Sequence, residues 1–341
     1  MSVTAAPPLR IGVIGVGRIG RMHADLLERR VAGARVAAVQ DAHAETARAI
    51  GGDLDVPVAA SVEELLSDGA VDAVAICTST DTHAELIEAA ARAGKAIFCE
   101  KPVSLDLATV DRALAAVREA GVPFQIGFNR RFDPGHQSVR DAVAGGAVGD
   151  VHLLRISSRD PAPPPLAYVK VSGGIFLDMT IHDFDMARYV AGSEVVDVHA
   201  RGTVRIDPGF AEAGDVDTAL VTLQHENGCL TAIDNSRQAV YGYDQRVEAF
   251  GSLGVASSEN PSAHRGVLRT ANGTSSALLP YFYLERYLPS YIREWEAFVA
   301  AVSTGESPPV GAADARAPLV IGLAAWRSLR EGRAVRVEEI A

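Results

Sequence analysis

Leu9-Arg10-Ile11-Gly12-Val13-Ile14-Gly15-Val16-Gly17-Arg18-Ile19-Gly20 decides how the first part of the chain folds. Residues 9–14 form a short apolar run without polar alternation, the pattern of a strand covered on both faces. Residues 19–30 then take up helical spacing. Between the two stands a GxGxxG motif, and in a strand–turn–helix setting each glycine has a physical reason. Gly15 permits the tight turn, Gly17 lets backbone approach a pyrophosphate, and Gly20 lets the helix pack close to the strand. The helix N-terminus, opening at Arg18 and Ile19, offers N–H groups and a partial positive charge to phosphates. Asp41 ends the second strand about 20 residues further on, where a carboxylate accepts hydrogen bonds from the adenosine ribose hydroxyls and repels a 2′-phosphate. NAD is therefore expected over NADP, with Arg18 a basic residue that softens the exclusion. A turn or helix-cap role for Asp41 is compatible with this one.

Working outward, strands are expected at 36–39, 71–77, 96–99 and 124–128, with helices at 44–49, 83–93 and 107–120. Such alternation predicts βαβ units and a parallel sheet. The pattern changes near Phe128. Residues 151–157, 195–206, 218–225, 230–235 and 245–250 read as longer strands, several alternating polar with apolar, which suits an antiparallel sheet. Asn227-Gly228 predicts a type I′ hairpin between two of them. Helices are expected at 137–144, 178–190, 291–302 and 312–330, and Pro161-Ala162-Pro163-Pro164-Pro165 reads as a stiff loop. The expected fold is α/β: a Rossmann dinucleotide-binding domain over 1–127, then an α/β domain over 128–341 built on a large open, mainly antiparallel sheet.

Composition agrees with that division, since 341 residues exceed one ordinary core. Hydrophobic residues make up 48% and charged residues 22%, a soluble globular balance. A formal net charge of −11 argues against a nucleic-acid or anionic-membrane surface. Cys77, Cys99 and Cys229 form no CxxC pair and lie in apolar runs, so they read as buried reduced thiols. Residues 1–10 lack the apolar stretch of a signal peptide, and no run reaches the ~18 apolar residues of a membrane span. A cytoplasmic location is the expectation.

Further along, Asp178 and His182 stand four apart on a predicted helix and so share a face, with Asp185 close to it. Histidine has the intrinsic pKa of a base near neutral pH. An Asp/His pair at this spacing is more often a surface or capping arrangement, so spacing alone leaves its role open. Asp178, His182 and Asp185 lack a cysteine or second histidine, and no metal is expected.

Cys99-Glu100-Lys101-Pro102, following a GxGxxG domain of this length, resembles the Gfo/Idh/MocA family of oxidoreductases. Gly127-Phe128-Asn129-Arg130-Arg131-Phe132-Asp133 resembles that family's entry into its second domain. Three segments are similar to its inositol 2-dehydrogenase branch: Ser157-Ser158-Arg159-Asp160-Pro161, the stretch 173–185 containing Asp178-Met179-Thr180-Ile181-His182, and Tyr241-Gly242-Tyr243-Asp244. The resemblance implies oxidation of a secondary hydroxyl on a cyclic polyol, with hydride passing to the nicotinamide of NAD. It points to myo-inositol becoming 2-keto-myo-inositol in inositol catabolism. It places Glu100 and Lys101 beside the nicotinamide, often with a cis bond before Pro102, and makes Lys101, Asp178 and His182 the catalytic set. In those roles His182 acts as base, Asp178 orients or polarises it, and Lys101 stabilises charge on the reacting oxygen. Thr78, Ser79 and His83 join the cofactor set, although His83 serves equally as a capping histidine. Arg130, Asp160, Thr180 and Tyr243 join Asp178 and His182 around the substrate. Ser158 and Asp160 stand where some inositol dehydrogenases carry Asn or His, which bears on the stereoisomer. The open sheet implies a dimer or tetramer. Other readings on this scaffold are a glucose or other sugar dehydrogenase, a non-catalytic cofactor-binding regulator, and a flavin enzyme.

Overall fold

The first unit is built on β1 (Leu9–Ile14), α1 (Arg18–Arg29), β2 (Ala34–Gln40), α2 (Ala44–Leu54), α3 (Val62–Ser67), β3 (Ala73–Ile76), α4 (Thr80–Arg92), β4 (Ala96–Glu100), α5 (Leu107–Ala120) and β5 (Phe124–Gly127), within a computed structural model that describes residues 7–340. Its five strands are parallel in the order β2-β1-β3-β4-β5. All four residues of β3 are buried, which is why these strands read as unbroken apolar runs. A lone parallel bridge from Val39 to Val58 stands outside β2, in the place of the third strand of a Rossmann half. The chain order reverses between β1 and β3, and the carboxyl ends of those strands are where such sheets bind ligands.

Local chemistry accounts for the helix ends. Asp106 caps α5 by accepting from the Thr109 N–H at 2.8 Å, and Gly121 closes it with a left-handed φ of 65°. Helix α3 is absent from the sequence expectations. Its signal is present as Ser61 and Glu64: Ser61 caps the helix by accepting from Glu64 N at its hydroxyl, and Glu64 reaches back to Ala60 N, one residue before the cap. The first unit also contains Tyr291–Arg316. There Trp295 lies 4.1 Å from Phe98, ring centre to ring centre, in an aromatic cluster with Phe298. The chain thus enters this unit twice, which a division at 127/128 does not anticipate.

The second unit, Arg130–Ser290 with the residues from Ala317 onward, contains α6 (Pro134–Ala144), β6 (Val151–Arg159), α7 (Leu166–Val169), α8 (Gly174–Asp178), α9 (Ile181–Ala191), β7 (Val195–Thr203), α10 (Gly209–Glu212), β8 (Thr218–His225), β9 (Leu230–Ser236), β10 (Asp244–Gly251), β11 (Gly254–Ser258), β12 (Val267–Thr270) and β13 (Gly273–Ser276). Helix α11 (Tyr283–Thr304) begins here, and α12 (Ala312–Glu331) and β14 (Val335–Arg336) end here. Seven strands run β11-β10-β6-β9-β8-β7-β14, antiparallel except for the parallel pair β6 and β9. One face is sealed by Phe176, Phe184, Met186, Val190 and Ile321 over inward residues such as Val221 and Leu223. The opposite face leaves Leu220, Leu230, Phe250 and Val255 exposed.

Two expectations need correction. Gly228 has a φ of 86° while Asn227 does not share a positive φ, so the hairpin is not type I′. Gly228 N bonds to His225 O, and His225 N to Cys229 O, which is a type I turn closed by a glycine bulge. The helix expected over 178–190 is also two helices. Thr180 N bonds to Ile175 O at 2.9 Å, and the Thr180 hydroxyl faces the same carbonyl at 3.1 Å. Ile175 O already has its helical partner in Met179 N at 3.0 Å, so Thr180 N passes over Phe176 O, the acceptor that would carry α8 forward, and α9 starts afresh. Strands β11, β12 and β13 are additional to the sequence reading.

Candidate active site

In the first unit the glycine loop has the geometry the motif demands. Gly15 has a φ of 82°, and a Cβ there would meet Thr78 at 2.7 Å. A Cβ on Gly20 would collide with the Gly15 carbonyl. Gly17, by contrast, has open space where a side chain would be, a cradle bounded by the N-terminus of α1. Asp41 pins this loop: its Oδ2 accepts from Val16 N and its Oδ1 from His43 N, both at 2.8 Å. Those bonds hold the carboxylate beside the cradle with lone pairs to spare. Residues present here therefore fit a dinucleotide.

Thr78 and Ser79 follow β3, and the Thr78 hydroxyl lies 2.6 Å from that of Thr82. His83 is 1% exposed, with Nδ1 2.8 Å from Pro102 O and Nε2 3.1 Å from Thr78 O. Burial lowers its pKa against the pull of those two carbonyls. A neutral imidazole has one N–H, so His83 donates to one of these two carbonyls, either the loop after β3 or the segment after β4. In that segment the Lys101–Pro102 bond is cis, and half-buried Lys101 follows directly on Glu100.

Glu100 is held by a chain the sequence reading did not foresee. Trp295 Nε1 can only donate, so His23 Nδ1 accepts from it at 2.8 Å. His23 Nε2 therefore carries the proton, and Glu100 Oε1 accepts from it at 2.8 Å. Sequence places His23 on the first helix as structural or cofactor-adjacent, and its particular role depends on a tryptophan 272 residues away.

In the second unit, two ionic groups, one buried and one partly exposed, collect most of the expected substrate residues. Arg130 Nη1 donates to Asp183 Oδ1 at 2.7 Å and to Ser158 Oγ at 2.9 Å, and Nη2 lies 3.4 Å from the Tyr243 hydroxyl. Asn235 Nδ2 completes the Asp183 carboxylate at 2.8 Å. Burial pushes the Tyr243 phenol up, so it stays protonated at any ordinary pH. In the other group, Asp178 Oδ1 accepts from the Tyr168 hydroxyl at 2.8 Å, and its Oδ2 lies 2.9 Å from Arg237. Arg237 also reaches Asp160 Oδ2 at 3.3 Å. Burial raises the pKa of Asp160, Arg237 opposes the rise, and Asp178 adds to it.

Three sequence expectations change. Asp178 closes α8 while His182 lies in α9, so they do not share the face of one helix. Asp185 does not join them; Arg131 takes it with bonds of 2.8 and 2.6 Å. Thr180 is fully buried, its hydroxyl turned to Asn235 Oδ1 at 2.6 Å and to Ile175 O, away from a role in holding substrate. Asp183 and Arg237 were missed. Asp183 lies directly beside His182, within residues 173–185. Arg237 is a lone cation just past a half-buried strand, a weak signal. Among the described residues, no group of three or more His, Cys, Asp or Glu side chains is arranged to hold a metal ion.

A parallel sheet with a glycine cradle pinned by a carboxylate, followed by a polar second unit rich in paired acids, has the build of a nicotinamide-dinucleotide oxidoreductase of two units. Comparison makes the assignment specific. Residues 9–128 match the model of the oxidoreductase family with an NAD-binding Rossmann fold, and residues 136–257 match the GFO/IDH/MocA C-terminal domain. The chain is 49% identical over 333 residues to the myo-inositol 2-dehydrogenase of Thermotoga maritima, covering 97% of this chain and 99% of that one. The crystal structure of a myo-inositol dehydrogenase from Corynebacterium glutamicum superposes with a TM-score of 0.93 at 35% identity, over 96% of this chain and 98% of the other. That of the Lactobacillus casei myo-inositol dehydrogenase in complex with NAD(H) and myo-inositol gives 0.87 at 26% identity, covering 96% of each. The chain belongs to the Gfo/Idh/MocA oxidoreductase family, in its inositol 2-dehydrogenase branch. Its cofactor is NAD.

Proposed function

We infer that this chain oxidises myo-inositol at its axial hydroxyl to 2-keto-myo-inositol (scyllo-inosose), reducing NAD. The observation that carries this is near-full-length similarity to a myo-inositol 2-dehydrogenase, together with a polar site whose cations are already matched to carboxylates. Arg130 is taken by Asp183, and Arg237 by Asp178 and Asp160. Such a site suits an uncharged ring dense in hydroxyls better than a carboxylate or phosphate.

Bound NAD supplies the hydride acceptor. The chain's own groups handle the proton and the substrate. His182 takes the hydroxyl proton, Lys101 donates a hydrogen bond to the reacting oxygen as charge develops there, and Asp178 orients the base or a neighbouring hydroxyl. Asp160 and Tyr243 read the remaining ring hydroxyls. Arg130 acts from behind, holding Asp183 and Tyr243 in place. We further assign the enzyme to inositol catabolism in the cytoplasm, as a homotetramer. Exposed Leu220, Leu230, Phe250 and Val255 on one sheet face support self-association, which sedimentation would check. Among the described residues no helix is long and apolar enough to cross a membrane.

The deciding experiment measures NAD reduction with myo-, scyllo- and chiro-inositol and with glucose. Myo-inositol is expected to give the highest kcat/KM. A deoxy-inositol lacking a contacted hydroxyl should lose about 1–3 kcal/mol of transition-state binding, because it leaves buried polar groups unpaired. Efficient glucose turnover with inert myo-inositol would sink the substrate assignment and leave the fold and cofactor untouched.

Cofactor choice follows from Asp41. Its carboxylate, fixed by Val16 and His43, is expected to meet the ribose diol and oppose a 2′-phosphate. Asp41→Ala should lower the NAD-over-NADP ratio of kcat/KM by ~10-fold or more, which requires only ~1.4 kcal/mol of that repulsion. An unchanged ratio would remove Asp41 from cofactor selection.

A further inference from the structure

Arg237 is shared by two carboxylates of the candidate site. It follows β9, with its N–H donating to Asp217 O at 2.9 Å, while Asp160 N donates to Ser236 O at 2.9 Å. Strands β6 and β9 run parallel with Arg159 opposite Ser236. Asp160 and Arg237 therefore leave the same end of the sheet side by side, at the carboxyl ends of β6 and β9. The guanidinium is 3% exposed, and its two terminal nitrogens lie 3.3 Å from Asp160 Oδ2 and 2.9 Å from Asp178 Oδ2. Tyr168 holds the other oxygen of Asp178. A planar fork spans two acceptors in a way a point charge cannot.

We propose that Arg237 is a positioning residue of the reaction, one guanidinium that bridges Asp160 and Asp178, spaces both carboxylates to accept hydrogen bonds from substrate hydroxyls, and keeps Asp160 ionised. This rests on the inositol reading above. The surroundings favour it. Asp215, Tyr168, Tyr243 and Arg130 are further titratable or charged groups acting on the pair. Asp215 adds a third negative charge to the field at Arg237. Tyr168 and Tyr243 are pushed up by burial and stay neutral. Arg130 is held by Asp183. Without Arg237, half-buried Asp160 would face Asp178 with nothing to oppose the rise in its pKa, and the response to that is proton uptake at Asp160.

An opposite charge within ~4–6 Å lowers a carboxylate pKa by about 1–3 units. Arg237→Met should therefore move the acid limb of the kcat/KM profile to higher pH by about 1–3 units. Arg237→Lys, which keeps a charge but reaches one carboxylate at a time, should move it less. A role confined to packing would lower stability and leave the limb where it is. Infrared spectra of the substrate-free protein provide a reading that does not depend on turnover. At neutral pH, Arg237→Met should show a protonated carboxylic-acid carbonyl stretch in addition to any from buried Glu294, which burial pushes up in the parent as well, and Asp160→Asn in the same background should remove or diminish the added band. Should Arg237→Met fail to fold, Arg237→Lys carries the test through the same limb and spectrum. Parental acid limbs in the folded variants with no new carbonyl band would overturn the proposal. A parent enzyme inert toward every inositol would instead overturn the substrate reading, while the infrared result still decides the role of Arg237.

Discussion

Replacing His182 by alanine is expected to cut inositol turnover by ~10²–10⁴-fold while NADH binds as it does to the parent. The expectation rests on a division of labour between the two units. The glycine cradle, Asp41 and the Glu100 segment belong to the first unit, whereas His182 and Asp178 belong to the second. Removing the base should therefore leave the dinucleotide site intact. Lys101→Ala should lose turnover by a similar factor, since charge on the reacting oxygen loses its donor. Asp178→Asn should fall between the parent and these two. It keeps the volume and an acceptor for Tyr168, and it gives up the charge that Arg237 faces. Fluorescence titration with NADH and steady-state kcat on the same preparations separate binding from chemistry. A His182→Ala enzyme with parental kcat would take histidine out of the mechanism.

The second large effect concerns stability. Arg130 and Asp183 are both buried and bonded at 2.7 Å, with Ser158 and Asn235 filling the other positions on the carboxylate. Truncating one member leaves an uncompensated buried charge, at a cost of about 3–5 kcal/mol. Arg130→Met and Asp183→Leu should each lose that much in urea unfolding. The double variant should lose clearly less than the sum, because neither charge then remains. Losses that simply add would show that the two residues do not act as a pair and that neighbouring dipoles hold each charge separately.

Much of the molecule is legible along the chain. The strand–glycine–helix opening, the alternation of short apolar runs with helices, and the change to alternating strands after Phe128 all predicted elements that the structure contains. These signals are local. A covered strand must be apolar throughout, a half-covered one must alternate, and a turn with positive φ calls for glycine. The segments around Asp178 and His182 illustrate the limit. Their spacing suggested one helix face, but Thr180 finds Ile175 O and Asn235, and the helix divides there. Propensity could not anticipate a bond to a side chain from a strand 55 residues later.

The sequence by itself determined the dinucleotide fold, the cofactor cradle and the kind of second domain, because each depends on residues within a few positions of one another. Tertiary structure alone decided which charges meet. Asp185 went to Arg131, Asp183 to Arg130, and Asp178 with Asp160 to Arg237, the last two separated by 77 residues in the chain. The parallel register of β6 and β9 brings Asp160 and Arg237 together. Burial then makes the pairing obligatory, because a guanidinium withdrawn from water must find its counter-charge in whatever the fold has placed beside it.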